Sequence, residues 1–305
     1  MMDISIIICT RNRHKDIAIC LNSIINQTVK PAEVIIVDSS INEETQEVYE
    51  KYKTSLKLKY IKSSAGTAYQ RNVGLNYANG DIILYIDDDV ELEKSYLNFL
   101  HKGYTEHPEI FGTNGILMNF TPSFVDNIFC KIFFLPCKKN GGIQPSYFPR
   151  LPANEKFMYL DTLHGCNMSY KKEIFLEQRF DENLKGYSNM EDPDFSYRAS
   201  RNHRLAQLPD CRLVHHTSRN WRENLQYLNE KLTVQHYYIF RKNFKLTLPR
   251  IMAFTWSHIG LMIRDTCRLI VRLKADALIG SFKGNLVILQ NLKKNQITEK
   301  IKQYN

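Results

Sequence analysis

The sequence predicts an α/β protein with a mainly parallel central sheet, helices on both of its faces, and a helical extension at the C-terminal end. Three observations carry this. Short β-branched runs alternate with helix-length segments, two of those runs end in aspartate, and the excess positive charge is confined to the end of the chain. Strand–helix–strand units build parallel sheets with crossover helices, and ligands of such sheets gather beyond the carboxyl ends of the strands.

Taken in order, ISIIIC (4–9) is a continuous β-branched run that reads as a buried strand. His14 to Gln27 reads as a helix with Ile17, Leu21, Ile24 and Ile25 on one side. Glu33 to Val37, after Pro31, is a second strand ending at Asp38. A polar helix, Glu43 to Lys53, leads to a strand from Leu56 to Ile61. Gly66 turns the chain into a third helix, where Thr67 and Gln70 have capping-box spacing and Tyr69, Val73 and Tyr77 form the apolar stripe. Gly80 ends it, and Asp81 to Ile86 is a strand that stops at Asp87-Asp88-Asp89.

Residues 120–157, rich in Pro, Gly, Phe and Lys, read as a long loop or insertion over the site. Tyr159 to Tyr170 is a strand with a turn at Gly165-Cys166, Phe180 to Arg201 a loop feeding a helix, and Arg204 to His216 a final strand pair. After Trp221 the pattern is helical.

At 305 residues with 43% hydrophobic and 24% charged residues, the chain has the composition of a folded protein with a sizeable core. No run of eighteen apolar residues occurs, and Ile251 to Ile263 is broken by Ser257 and His258, so no membrane-spanning helix is expected. The N-terminus runs straight into ISIIIC without a basic region or cleavage site, so secretion is not expected. Seven scattered cysteines with no CxxC pair argue against disulfides and zinc fingers and fit a reducing cytosol. The net charge of +9 does not mark a nucleic-acid binder. Residues 241–305 hold 13 Lys/Arg against 3 Asp/Glu, whereas the rest of the chain holds 28 against 29. A basic end of this kind suits an anionic surface and leaves the main body to be explained separately.

The chemistry is concentrated at a few places. Three adjacent carboxylates directly after an apolar strand repel one another, and a divalent cation relieves that; hard oxygen ligands suit Mg²⁺ or Mn²⁺. A solvated acidic loop is the alternative. Asp38 can accept from a base N–H or a ribose hydroxyl, or serve as a turn-forming aspartate. Arg71 and Asn72 lie in the first turns of their helix, where a guanidinium and the amide dipoles both favour phosphate. Glu191-Asp192 before Pro193 opens a helix and can supply one general base, although helix starts favour acids for structural reasons too. His215 and His216 end an apolar strand and can ligate metal or phosphate. The chain has no GxxxxGK[ST] loop, no GxGxxG fingerprint and no GxSxG elbow. Asn119-Phe120-Thr121 and Asn167-Met168-Ser169 match the glycosylation sequon but come without a secretory signal.

The ordered set SIIICTRNR (5–13), VIIVDSS (34–40), GTAYQRNVGLNYANGDIILYIDDDV (66–90), HGCNMSYKKEIF (164–175), FDENLKGYSNMEDPDFSYR (180–198) and LVHHTS (213–218) resembles inverting family 2 glycosyltransferases of the GT-A fold, a group with many bacterial surface-polysaccharide enzymes. The resemblance implies a catalytic domain over 1–220 and a helical basic extension over 221–305. It places Thr10 and Arg11 by the nucleotide, Asp38 at the base, and Arg71 at the base or diphosphate. Asp87 and Asp88 would support the ribose and the metal, with Asp89 as direct metal ligand and His215 near metal and diphosphate. The Gly165-Cys166-Asn167 turn would border sugar and acceptor, and Asp192, beside Glu191, would be the catalytic base. The triplet departs from a spaced D-x-D pair, which leaves open which aspartate meets the metal.

The implied reaction moves a sugar from a nucleoside diphosphate donor, UDP or dTDP favoured, to a hydroxyl of a glycan or lipid-linked acceptor. A silent glycan-binding scaffold and a sugar nucleotidyltransferase are the other readings, and TRNRHKD lacks the glycines the latter usually carries. In Ile259 to Leu273, Ile259, Met262, Ile263, Thr266, Leu269, Ile270 and Leu273 cluster on one side and Arg264, Arg268 and Arg272 on the other. Such a helix either lies on an anionic membrane face, peripheral to the cytosol, or packs its apolar face on the catalytic domain. HYYIFRKNF (236–244) is similar to the helical C-terminal part of transferases building rhamnose-containing or related surface glycans.

Overall fold

Continuous β-branched runs become strands where both faces of a sheet are covered, and ISIIICT and EVIIVD do so here. The computed structural model describes all residues except 1, 120–122, 139–140, 153–154, 189, 218–223, 273–274 and 305; at 271, 272, 294 and 295 it describes the backbone alone. The first elements are β1 (Ile4–Thr10), α1 (His14–Ile25), β2 (Glu33–Asp38), α2 (Glu44–Tyr52), β3 (Leu58–Lys62), α3 (Thr67–Asn76), β4 (Ile82–Asp87) and β5 (Val90–Leu92). Then come α4 (Tyr96–Glu106), β6 (Ile110–Leu117), α5 (Phe124–Ile132), β7 (Cys137–Lys138), β8 (Arg150–Leu151), β9 (Met158–Leu160), β10 (Asn167–Lys171) and α6 (Ile174–Glu177). The chain continues through α7 (Glu191–Ser200), β11 (Arg204–His215), α8 (Leu225–Asn243), α9 (Leu248–Arg272), α10 (Asp276–Gln290) and α11 (Lys294–Ile301).

The chain divides into two compact units: Met1–Phe120, Asn154–Glu182 and Glu191–Trp221 in the first, and Thr121–Ala153, Asn183–Met190 and Arg222–Asn305 in the second. The boundary expected at 220/221 falls outside the described residues. Segments 121–153 and 183–190, inside the expected first domain, group with the second unit.

In the first unit the strand order is β3-β2-β1-β4-β10-β6-β11-β5, with β9 also on β11. Strands β1 to β4 pair in parallel; β10 runs antiparallel to β4 and β6. The period of two sorts the core. Ile6, Ile8, Val34, Ile36 and Leu84 meet α1 and α4 on one face, and Ile7, Ile35, Val37, Ile83 and Tyr85 meet α3 and α7 on the other. Each such fully buried side chain contributes about 1.5–3 kcal/mol of transfer free energy.

Four expectations need correction. Tyr69 and Tyr77 of α3 are exposed, and the helix buries Ala68, Gln70, Arg71, Asn72 and Leu75 instead. Its N-cap is Gly66, at φ 143, a backbone glycine adopts easily. Gln70 does not close a capping box: its amide donates to the carbonyls of Thr10 (3.2 Å) and Val37 (2.8 Å), which ties α3 to the ends of β1 and β2. Residues 204–215 form one strand, not a pair, with an irregular register between Gln207 and Arg212. The 120–157 stretch is not merely loop, since it contains α5 and the β7–β8 pair.

The second unit is helical around a buried polar line. His236 on α8 meets the Ser146 carbonyl (2.9 Å) and His258 on α9 (3.0 Å), and His258 meets Asn285 on α10 (2.8 Å). No helix among the described residues is long and apolar enough to cross a membrane, and all seven cysteines are free thiols.

Candidate active site

The aspartates that end apolar strands come together because β1, β2 and β4 are neighbours in register: Thr10 pairs with Asp38, and Cys9 with Asp87. Asp38 is fully buried. One oxygen accepts from the Ser40 amide (2.8 Å) and hydroxyl, the other from Tyr60 (2.6 Å) and Lys62 (3.2 Å). A base N–H reaching Asp38 would replace Tyr60 or Lys62. Arg11 is exposed on the β1–α1 loop.

The triplet splits by direction. Asp88 turns inward, accepting from Thr10 Oγ1 (2.7 Å) and Arg13 Nη1 (2.9 Å). Burial pushes its carboxyl up to about 7, with Asp89 adding and Arg13 and Thr10 opposing. Asp87 and Asp89 face His215, whose Nε2 lies 2.9 Å from Asp89 Oδ1 and 3.8 Å from Asp87 Oδ2. Burial disfavours the imidazolium, but the Asp89 hydrogen bond and the charges of the triplet outweigh it and leave His215 raised. His216 points elsewhere, to Glu91 (3.0 Å). The meeting depends on β5, which continues the triplet and pairs antiparallel with the end of β11, Val90 opposite His215. The His216 amide then donates to the Asp89 carbonyl (2.9 Å).

One ligand atom from each of Asp87, Asp89 and His215 lies within 4.8 Å of the others. Two carboxylates and an imidazole suit a divalent cation such as Mn²⁺, and a cation would take the place of the proton that the carboxylate charges now favour on His215. The donor set therefore fits a metal.

Arg71 organises the other side. Its guanidinium, nearly buried, holds Glu191 (2.8 Å) and the Gly165 carbonyl (3.2 Å) and lies 3.7 Å from Asp87. Glu191 is thus a buried ion-pair partner. Asp192, one residue on, accepts from the Gly165 amide (2.7 Å). Burial pushes Asp192 up to about 6, against the pull of Arg71 and Gly165. A Cβ on Gly165 would come within 2.9 Å of Asp192 Oδ2 and 3.0 Å of Arg71 Nη2, so a side chain here would displace one of these two groups. Asn167 is fully buried, which closes it to glycosylation in the folded chain; its Oδ1 accepts from Asn114 (3.1 Å). Burial also pushes the Cys9 thiol up to about 12, with Arg71 opposing, so it supplies no thiolate nucleophile.

Of the residues expected from sequence, Thr10, Arg71, Asp87, Asp88, Asp89, Asp192, Glu191 and His215 are brought into one linked set. Asn167 reaches it through the Gly165-Cys166 turn, where the Cys166 carbonyl accepts from the Asp87 amide (3.3 Å). Asp38 sits one strand away and Arg11 on the rim. Arg13 and Gln70 went unassigned or misassigned. Arg13 stood in the TRNR segment as a basic residue just past a strand end, but nothing local told that it would turn back onto Asp88.

A nine-stranded mixed sheet with an Asp-Asp-His cluster beyond its strand ends defines a GT-A-type α/β protein. The mannosyltransferase PcManGT of Pyrobaculum calidifontis, solved with GDP-Man and Mn²⁺, shares the fold with a TM-score of 0.59, covering 96% of this chain and 90% of that one at 15% identity. The profile of glycosyl transferase family 2 matches residues 5–177, more than half of the chain, and the chain belongs to that family. The glucosyl-dolichyl phosphate glucuronosyltransferase of Haloferax volcanii is 24% identical over 182 residues, 58% of this chain and 55% of that protein. The GalNAc(5)-diNAcBac-PP-undecaprenol beta-1,3-glucosyltransferase of Campylobacter jejuni is 30% identical over 197 residues, 59% of this chain and 64% of that protein. This chain thus spans less than two thirds of either relative's length.

Proposed function

We propose that the chain transfers a sugar, with inversion, from a nucleoside diphosphate donor to a hydroxyl of a glycan or lipid-linked saccharide. The observation that carries this is the convergence of the Asp87–Asp89–His215 cluster, Arg71 and Asp192 at one end of the sheet. The names of the two relatives, a dolichyl phosphate and an undecaprenol enzyme, favour a lipid-linked acceptor. Free thiols fit a reducing compartment such as the cytosol, where the face of a membrane can offer that acceptor. UDP and dTDP remain the favoured donors.

Asp87, Asp89 and His215 would hold Mg²⁺ or Mn²⁺. When bound, the cation neutralises charge that grows on the departing diphosphate. Asp192 takes the proton from the acceptor hydroxyl; the hydroxyl oxygen of the acceptor forms the new bond to the anomeric carbon, and the carbon–oxygen bond to the diphosphate breaks with its electron pair on the diphosphate. A carboxyl raised to about 6 is still ionised at neutral pH and is a stronger base than an ordinary aspartate. Glu191 is committed to Arg71, which leaves Asp192 as the base. Arg71, held on three sides, acts as a positioning residue for Glu191, the Gly165 turn and Asp87 rather than as an open phosphate ligand.

The test is a thermal-shift panel of UDP, dTDP, GDP and CDP with Mn²⁺ or with EDTA, on the native chain and on Asp89→Asn. A metal-dependent shift confined to one or two nucleotides, and lost in Asp89→Asn, is the expected result. Equal shifts with EDTA, or none with any nucleotide, would overturn the donor site.

A further inference from the structure

Helix α9 carries its apolar residues on the side it does not pack. Leu248, Met252, Trp256, Ile259, Ile263 and Ile270 are each at least 40% exposed. At 100° per residue they fall within about 80° of arc, and at 1.5 Å per residue the row runs about 33 Å. The opposite side faces the second unit's own core, with Ala253, Phe254, Ser257 and His258 buried. There Asp265 is buried, lies 3.9 Å from Arg264 and 3.6 Å from Arg268, and accepts from Ser281 of α10 (2.7 Å). The arginine side is thus anchored, and the apolar side is left to solvent.

Helix α5 widens the row. It has no buried residue, and Phe124, Val125, Ile128 and Ile132 are between 42% and 79% exposed. It adjoins α9 where Phe133 stacks on Trp256 (4.9 Å between ring centroids) and the Trp256 indole donates to the Ile132 carbonyl (2.9 Å). Helix propensity does not require such a surface, and solvent disfavours it. Contiguous exposed apolar area of this extent marks a contact site.

Charge selects the occupant. Lys131 lies beside Phe124 and Ile128 on the outer side of α5, and Lys245 is exposed just before α9. Asp126 of α5 is the exposed acid nearby. Residues 241–305 hold 13 basic against 3 acidic residues, and one of the three, Asp265, is buried. A second copy docked on this face would bring like charges together, whereas anionic head groups would neutralise them. Tryptophan, phenylalanine and lysine at the edge of an aliphatic row suit the boundary between head groups and acyl chains. No helix among the described residues is long and apolar enough to cross, so this surface suits lying on a bilayer.

We propose that the apolar row of α9, widened by α5, docks the protein on an anionic bilayer. The inference rests on the second unit alone and does not depend on the transfer reaction. The full chain is mixed with vesicles of phosphatidylcholine, with or without phosphatidylglycerol, and followed by co-sedimentation. In a Trp221→Phe background, quenching by brominated acyl chains reports the depth of Trp256. Binding to the anionic vesicles, weakened by salt, with Trp256 quenched, is expected. The double variant Met252→Ser, Ile263→Ser is expected to lose affinity about tenfold or more at an unchanged melting temperature. No binding to the anionic vesicles, equal binding to both, or binding unaffected by the double variant would overturn the proposal. A native chain that is dimeric without lipid and that the double variant renders monomeric would overturn it in favour of self-association. None of these readouts uses sugar transfer, so they fail or succeed apart from the donor site.

Discussion

The two units solve opposite problems. The first buries unbroken Ile and Val runs and gathers Asp88, Arg71 and Glu191 by the carboxyl ends of its strands. The second buries Lys231, Gln235, His236, His258 and Asp265 and turns Met252, Trp256 and Ile263 outward. In the first, burial raises the Asp88 and Asp192 carboxyls. In the second, the buried polar line fixes which side of α9 faces in, and the apolar residues are free for contact. Exposed hydrophobicity in the second unit is a matter of orientation and not of a missing core.

The sharpest way to break this contrast is Asp192→Asn, which should lower turnover about 10²–10⁴-fold while the nucleotide-dependent thermal shift persists. Its melting temperature should hold or rise, because a buried carboxylate no longer has to ionise. Near-normal turnover would remove Asp192 as the base. Next, Phe254→Ala removes the ring packed against both His236 and His258 and should cost about 3–5 kcal/mol in denaturant unfolding. A loss below 1 kcal/mol would mean the second unit has no tight core there.

Asp192 of the first unit and the His236–His258 pair of the second should respond to pH with opposite signs. The folded state holds the Asp192 proton more tightly than the unfolded chain, so this group favours folding as pH falls from about 6 toward 4. His236 and His258 are lowered by burial, His258 to about 4, so their contribution is full above about 6.5 and is lost as pH falls toward 4. Turnover should therefore decline about tenfold per pH unit below about 6. Helix α8–α9 amides should lose hydrogen-exchange protection over the same range; protection independent of pH would contradict the buried neutral pair. The smallest effect belongs to Ile263→Ser, expected within about 0.5 kcal/mol of native stability. A larger loss in a melting experiment would show that the row is packed.

Much of this was readable in advance. Strand runs such as VIIVD declare themselves because their period is local, and the aspartates at their ends inherit their place from the sheet. Helix α3 misled because its aromatic spacing imitates a buried stripe, while the residues that go inside, Gln70 and Arg71, are polar and find partners 33 and 120 residues away. The rotation of α9 was equally illegible: periodicity gives the arc of Ile259 and Ile263 but not which side is turned in, which depends on Asp265 meeting Ser281. His215 could be singled out as a residue, yet its partnership with Asp89 needed the β5–β11 pairing.

That pairing has a consequence in time. Asp87 and Asp89 leave the ribosome long before His215, and nothing in the first hundred residues can complete their cluster. A nascent or truncated chain lacking β11 can build β1 to β4 and still lack His215, so the Asp87–Asp89–His215 cluster forms in one late event. The strand that brings His215 sets the moment of assembly: the cluster closes only when nearly all of the first unit has been made.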